Sequence, residues 1–200
     1  VRTSSKLSVL ALFFTLASVA SGTPDQEARL LRAAEQGKAR EVSAELAAGA
    51  DVNAHAADGS TPLLHAVHGG HAATVKALLA ANADPNVANR YGVAPIHEAA
   101  QRADAPMLRA LLDAGARVDA ELAQGETPLM LASRTSGIDA VRLLIERGAN
   151  VNVVERWQGQ TALMYAAAHD RGEVAAALIR AGADVNARTD RKSTRLNSSH

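Results

Sequence analysis

The chain has no cysteine and few aromatic residues, and both shortages limit what it can do. Without cysteine, its 200 residues can form neither disulfide bonds nor thiolate metal sites. Aromatic residues make up 2% of the sequence, and Phe13 and Phe14 both lie in the N-terminal segment. The folded part must therefore pack on alanine, leucine, valine and isoleucine, which leaves no aromatic pocket for a cofactor. The sequence predicts no bound cofactor and no metal.

The sequence also lacks an excess of either charge, since it has 21 basic and 21 acidic residues. The two terminal segments described below hold five of the basic residues and one of the acidic ones, so 16 basic and 20 acidic residues lie between them. The part between them therefore carries a net charge of about −4. With no basic face and few aromatic side chains to stack on bases, it is not expected to bind nucleic acid.

Only one long apolar run occurs, from Leu7 to Ala20. It follows Arg2 and Lys6 and ends in the small residues Ser18-Val19-Ala20, a composition typical of a secretory signal peptide and its cleavage site. At 14 residues the run is too short to favour a membrane span, and no cysteine follows it to carry a lipid. We expect residues 1–22 to be removed and the mature protein to be periplasmic or secreted. An uncleaved membrane anchor is the alternative.

The stretch from Asp58 to Asn86 reads as one structural unit. Asp58-Gly59 is a turn pair, Thr61 can cap a helix through its hydroxyl, and Pro62 suits the first helical turn. The pair Gly69-Gly70 ends that short helix. A second helix follows, with an apolar face formed by Val75, Leu78 and Leu79.

The same pattern returns at intervals of 33, 33 and 34 residues, counted from Thr61 to Ala94, Thr127 and Thr161. A period near 33 with a hairpin and two helices is the signature of the ankyrin repeat. The segments TPLLHA, APIHEA, TPLMLA and TALMYA, and AGADVN in two units, resemble that family's motif. The apolar positions that recur with the period are Leu63, Ile96, Leu129 and Leu163, then Ala66, Ala99, Ala132 and Ala166, then Leu78-Leu79, Leu111-Leu112, Leu144-Ile145 and Leu178-Ile179.

This resemblance covers roughly Asp25 to Arg188 and implies an all-α repeat solenoid of about five helix-turn-helix units joined by β-hairpin loops, in an ankyrin-repeat protein of bacterial type. The predicted units are an N-terminal capping repeat at 23–56 and four repeats at 57–88, 89–121, 122–154 and 155–188. Residues 189–200 are interpreted as a non-native tail, because DRKSTRLNSSH resembles the translation of a sequencing-library adapter. A natural polar tail is the alternative.

Three departures from the period lead to specific expectations. The first unit is expected to lack the Thr-Pro start and to be polar on its outer side, as a terminal cap must be. In the third unit, Ala94 replaces the capping threonine, at a cost of about 1 kcal/mol, while Asp104 and Pro106 start the second helix. The link into the fifth unit, VVERWQGQ, has one extra residue, so its tip should protrude or bulge.

The sequence offers few candidate metal-binding or catalytic residues. His65, His68 and His71 are spaced by three residues, which can suit a metal, but the glycines interrupt the helix and a packing role for His71 is favoured. His97 falls on the family's Thr-Pro-Leu-His position and is expected to be structural. Glu121 and Glu126 are predicted to be solvated loop carboxylates. With no nucleophile–base pair and no phosphate loop, we expect no enzymatic activity.

The resemblance implies a recognition face made of the hairpin tips and the first, concave helix of each unit. Trp157 and Tyr91 are the sharpest observation there, because two of the three Trp and Tyr residues fall on predicted tips. Trp, Tyr and Arg often carry the binding energy of protein interfaces. The alternative is that Trp157 folds back over its own hairpin. The predicted partner-binding residues are Arg90, Tyr91, Arg156, Trp157 and Gln158 on the tips, with His68, Arg102, Arg134 and His169 on the helices.

The sequence thus favours a non-catalytic, monomeric scaffold that binds a protein partner. The alternative is the ankyrin portion of a larger exported protein, with an enzymatic or redox domain beyond residue 188.

Overall fold

A computed structural model describes residues 22–189 of the chain, and these residues form ten α-helices and no β-strand. Residues 1–21 and 190–200, which hold nearly all of the predicted signal peptide and tail, lie outside the described residues. The helices are α1 Pro24–Glu35, α2 Ala39–Ala47, α3 Pro62–His68, α4 Ala72–Ala80, α5 Pro95–Gln101, α6 Ala105–Asp113, α7 Pro128–Ser133, α8 Ile138–Glu146, α9 Ala162–Ala168 and α10 Gly172–Arg180.

The helices pack in two parallel rows, which is the arrangement of a solenoid. Each odd-numbered helix packs against the odd-numbered helices of the units before and after it, and the even-numbered helices pack in the same way. Within each unit the two helices also contact one another. The predicted all-α repeat solenoid is confirmed, with a core formed between neighbouring units.

The helix starts follow from the recurring threonine and proline. Thr61, Thr127 and Thr161 are buried, and the hydroxyl of each accepts a hydrogen bond from a backbone N–H in the first turn of its helix. A proline occupies the first turn of α3, α5 and α7, where no intrahelical N–H bond is needed. The predicted caps are therefore confirmed.

The core lies where the period predicts it. Leu63, Ile96 and Leu129 are buried, and the alanines that recur with them are fully buried. Small alanine side chains let the short helices approach closely, while the leucines fill the space between rows. Leu178, in the last unit, is also fully buried, whereas its neighbour Ile179 is exposed.

The first unit corrects one prediction. It does have a Thr-Pro start, because Thr23 caps α1 and Pro24 is its first residue. The N–H of Thr23 donates to Oε1 of Gln26 over 2.8 Å, which completes a capping box. This start lies five residues before the position that the period requires, so α1 has 12 residues where α3 has 7. The expected polar face is confirmed, with Arg29 paired to Asp25 and Glu45.

The third unit replaces its missing cap with a histidine. Ala94 has no side-chain oxygen, but its backbone N–H donates to Nδ1 of His97 over 3.0 Å. Because Nδ1 accepts this bond, the ring proton is on Nε2, which lies 3.0 Å from the Ala120 carbonyl oxygen. Burial lowers the pKa of His97, so the ring is held neutral. The expected structural role of His97 is confirmed, and so is the Asp104 cap, which accepts from the N–H of Met107.

His71 also has the expected packing role. Its ring fills the space beside Gly37, where an added Cβ would lie 2.5 Å from the ring. Its Nε2 atom is 3.0 Å from the carbonyl oxygen of Glu35. The ring therefore ties the start of α4 to the end of α1.

Candidate functional site

The loops between units form a row of tight tips at one side of the described array. The first residue of each tip donates its N–H to the carbonyl of the last, at distances of 2.8–3.0 Å. The four tips are 56–60, 89–93, 122–126 and 155–160, which we call the second, third, fourth and fifth tips after their units. The predicted β-hairpins are thus tight turns closed by this bond, without strands in residues 22–189. The extra residue lies within the fifth tip, whose closing bond spans one residue more.

Backbone hydrogen bonds join neighbouring tips in two places. The N–H of Arg90 donates to the carbonyl of Asp58 over 2.9 Å, and the N–H of Arg156 donates to the carbonyl of Gln124 over 2.7 Å. In both places the arginine side chain passes over a glycine of the preceding tip, Gly59 or Gly125. Adding a Cβ at either glycine would crowd the arginine at 3.3–3.4 Å. The tips are therefore held against one another in pairs.

Two aromatic side chains project from this row. Tyr91 and Trp157 are each 73% exposed, and each is the third residue of its tip, after Arg90 or Arg156. The alternative in which Trp157 folds back over its own loop is not the arrangement found. Arg90, Arg156 and Gln158 are also exposed. The third residue of the fourth tip is the exposed Gln124, so the aromatic positions alternate along the array.

A buried carboxylate underlies the Trp157 tip, and sequence reasoning missed it. Glu155 is 3% exposed. Its carboxylate accepts N–H bonds from Trp157 at 2.6 Å, Gln158 at 2.7 Å and Gln160 at 3.0 Å. Burial alone would raise the pKa of Glu155, but these backbone donors hold the pKa below its usual range. The signal available in the sequence was an acidic residue at the first position of the one enlarged tip.

Arg156 is exposed and pairs with Glu121, the residue that directly precedes the fourth tip. Its Nη1 atom also lies 3.5 Å from the carbonyl oxygen of Ala123. The guanidinium is thus directed along the tip row toward the fourth tip.

The ends of α3 and α5 carry His68 and Arg102. Nδ1 of His68 lies 3.0 Å from the carboxylate of Glu98, and Arg102 donates to the His68 carbonyl over 3.3 Å. The contacts link neighbouring units, and both His68 and Arg102 remain exposed.

Arg134, Glu126 and Tyr165 form a second cross-unit network, which the sequence did not predict. The Tyr165 hydroxyl donates to Glu126 over 3.0 Å, and Arg134 lies 3.7 Å from the same carboxylate oxygen. The Arg134 guanidinium carbon sits 5.7 Å from the centre of the Tyr165 ring, within range of a cation–π contact. Burial, with the Glu126 carboxylate second, raises the pKa of Tyr165 to about 12. Glu126 is therefore half-buried and paired, and its prediction as a solvated carboxylate was wrong.

His169 is exposed at the end of α9, where its Nδ1 atom lies 2.9 Å from the Tyr165 carbonyl oxygen. Nearby, Arg171 donates to the carbonyl of Arg134 over 3.1 Å. The predicted residues thus fall into two groups. One is the exposed tip residues, and the other is the residues at the ends of the first helices, whose side chains contact carbonyl or carboxylate groups. Glu126 connects the groups, because it belongs to the fourth tip and binds Arg134.

No group of three or more His, Asp or Glu side chains among residues 22–189 is arranged to hold a metal ion. The predicted residues lie on projecting tips and helix ends. A groove of about 510 Å³ lies elsewhere, between α6 and α8, where it is lined by Arg109, Asp139, Arg142 and Glu146 among others. None of the helices in this part of the chain is long and apolar enough to cross a membrane.

Stacked helix pairs with a row of projecting tips define a helical-repeat protein. A family model described as ankyrin repeats (3 copies) matches residues 30–122 and 107–189. The chain belongs to the ankyrin-repeat family, whose members generally act as protein–protein interaction modules and are generally non-catalytic. A comparison with curated proteins gave no match.

Proposed function

We propose that this chain is an exported, non-catalytic scaffold that binds a protein partner through its tips. The observation that carries the proposal is the exposure of Tyr91 and Trp157 at equivalent tip positions two units apart. The chain has only three Trp and Tyr residues. Two of them, Tyr91 and Trp157, are exposed, and packing within the array does not require either one.

The energetics of recognition support the same residues. An aromatic ring offers a large contact area while freezing few rotatable bonds, so it gains affinity at low entropic cost. Arg90 and Arg156 flank the rings and add charged contacts at the rim. His68, Arg102, Arg134 and His169 extend the proposed surface onto the ends of the first helices, where carbonyl and carboxylate contacts already orient them.

Export is proposed from the sequence of residues 1–22, and its test is the mature N-terminus. Expression with the native N-terminus in a bacterium should give a shorter protein outside the cytoplasm, as measured by intact mass. A soluble cytoplasmic product that keeps residues 1–22 would exclude export by this route.

The binding surface can be mapped by photocrosslinking in native cells. A photoreactive phenylalanine replaces Trp157 or Tyr91, and the same probe at Arg109, exposed on α6, serves as the matched control. The proposal expects the same protein adduct from positions 157 and 91 and none from position 109. An adduct that forms equally well at all three positions, or only at 109, would place binding elsewhere or show it to be unspecific.

A further inference from the structure

Trp157 lies on a tip whose backbone N–H groups bond to one buried side chain, Glu155. The fifth tip spans six residues where the other three span five, so it has an additional backbone N–H to satisfy. Glu155 is long enough to reach three of these groups, at Trp157, Gln158 and Gln160. A carboxylate that accepts several backbone N–H bonds is a strong local constraint, because hydrogen bonds to a charged acceptor are stronger than neutral ones.

The third tip, which carries Tyr91, independently shows the same arrangement of a polar side chain that accepts backbone N–H bonds from its own tip. Asn89 occupies the position of Glu155 in the third tip, and its Oδ1 atom accepts N–H bonds from Tyr91 at 3.0 Å and Val93 at 3.1 Å. The second and fourth tips have Ala56 and Leu122 there, and neither tip displays an aromatic residue. The two aromatic tips are therefore the two with a polar acceptor at their first position.

We propose that Glu155 is a positioning residue that fixes the tip carrying Trp157 in one conformation ready for binding. It acts through the backbone N–H groups of Trp157 and Gln158 and does not itself touch a partner, since it is buried beneath the loop. Asn89 has the same role for Tyr91. Preorganisation of this kind raises affinity because the loop loses less entropy on binding. Only this effect on affinity rests on the proposed function.

The test measures order in the tip directly, with full-length protein and no partner. Amide hydrogen exchange is followed at Trp157, Gln158 and Gln160 in wild type and in Glu155→Ala. Trp157 is the only tryptophan in the chain, so its fluorescence anisotropy gives a second local readout. We expect exchange at these three amides to become about tenfold faster or more, as loss of a charged hydrogen bond implies. Anisotropy should fall, while exchange in α4 stays unchanged.

Two variants separate positioning from general destabilisation. Glu155→Gln keeps one acceptor oxygen, so part of the protection should remain. A rescue variant combines Glu155→Asn with deletion of Gln158, which gives Asn-Arg-Trp-Gly-Gln on the five-residue plan of the third tip; it should restore both protection and anisotropy. Asn89→Ala should release the amides of Tyr91 and Val93 only. If Glu155→Ala leaves exchange in the fifth tip unchanged, or if the rescue variant stays as mobile as Glu155→Ala, the inference is wrong.

The two proposals can fail separately. A loss of tip order in Glu155→Ala without any binding role for Trp157 would refute the proposed function and leave the positioning role standing. Unchanged tip order in Glu155→Ala, with strong dependence of binding on Trp157, would refute the positioning role alone.

Discussion

Two threonines in the second unit are both buried but differ in their hydrogen bonding. Thr61 is buried with its hydroxyl bonded to the N–H of Leu64 at 3.2 Å. Thr74, in α4, is 0% exposed, and its hydroxyl has no hydrogen-bond partner in the described structure. A buried hydroxyl without a partner destabilises the folded state, because it has lost its bonds to water. The fifth unit has Val174 at the position of Thr74, so the repeat accommodates valine there.

The same substitution should therefore have opposite effects at the two sites. Thr74→Val should raise the free energy of unfolding by about 1 kcal/mol, because it removes an unpaired polar group at constant shape. Thr61→Val should lower it by about 1 kcal/mol, because it removes a helix cap. Urea denaturation of both variants beside wild type measures the two values. Destabilisation by Thr74→Val would show that its hydroxyl has a partner after all.

His97 makes stability depend on pH. Its pKa is lowered in the folded state, mainly by burial, while an unfolded histidine titrates near pH 6.5. Below that pH the unfolded chain binds a proton that the folded chain does not, so stability is complete above about pH 6.5 and falls as the pH drops toward the folded pKa.

The control for this prediction is the pair Ala94→Thr with His97→Met, which copies Thr127 and Met130 of the next unit. Between pH 7.5 and 5, wild type should lose more unfolding free energy than the double variant, as measured by urea denaturation at each pH. Equal losses would mean that His97 contributes nothing to acid sensitivity.

At the scale of helices, the last described unit has the most exposed large apolar side chains. Val185 is 61% exposed, whereas Val151, which precedes asparagine in the same way in the fourth unit, is 9% exposed. Ile179 of α10 is exposed as well, and α10 packs mainly on α8 and α9. Helices with fewer buried contacts open more often.

Amide hydrogen exchange should consequently be faster in α10 than in α4, which has neighbouring units on both sides. The comparison uses the full chain, with equivalent buried positions Leu178 and Leu78 as the reference pair. Equal protection of the two helices would mean that another part of the chain covers α10, and it would contradict the interpretation of residues 189–200 as a tail that takes no part in the fold.

The sequence predicted the helices well because a period of 33 residues fixes both the element order and the buried positions. Leu63, Ala66 and Leu78 are buried, and so are their counterparts in the third to fifth units except Leu163, which is only partly buried. The start of α1 was missed because Thr23-Pro24 lies outside that period. A local rule, the capping box, governs that helix start.

The site was predicted less completely, for a physical reason. Exposure of Tyr91 and Trp157 follows from their place in the repeat, but the Glu126–Tyr165 bond joins residues 39 apart. Such contacts depend on how units stack. The acidic residue at the first position of the enlarged tip marks Glu155 in the sequence, but its burial and its three backbone bonds appear only in the structure. The sequence therefore identified the exposed residues and missed the buried polar groups that orient them.

At the scale of the whole molecule, the array is a series of units joined by nearly independent unit-to-unit interfaces. Each unit contacts mainly its immediate neighbours, so a change at one tip should leave the distant units folded. This separation allows binding and stability to be tested independently. A tip residue can be removed without a large loss of structure, whereas a core residue cannot.

The most direct measurement compares the affinity of Trp157→Ala for the partner, isolated through the crosslink, with its free energy of unfolding. Gln124→Ala, at the same position of the fourth tip, is the matched control. The account predicts that Trp157→Ala weakens binding by about 2 kcal/mol or more, while stability changes by less than about 1 kcal/mol; Gln124→Ala should change both very little. A fall in stability with unchanged affinity would instead assign Trp157 to the scaffold and contradict the account.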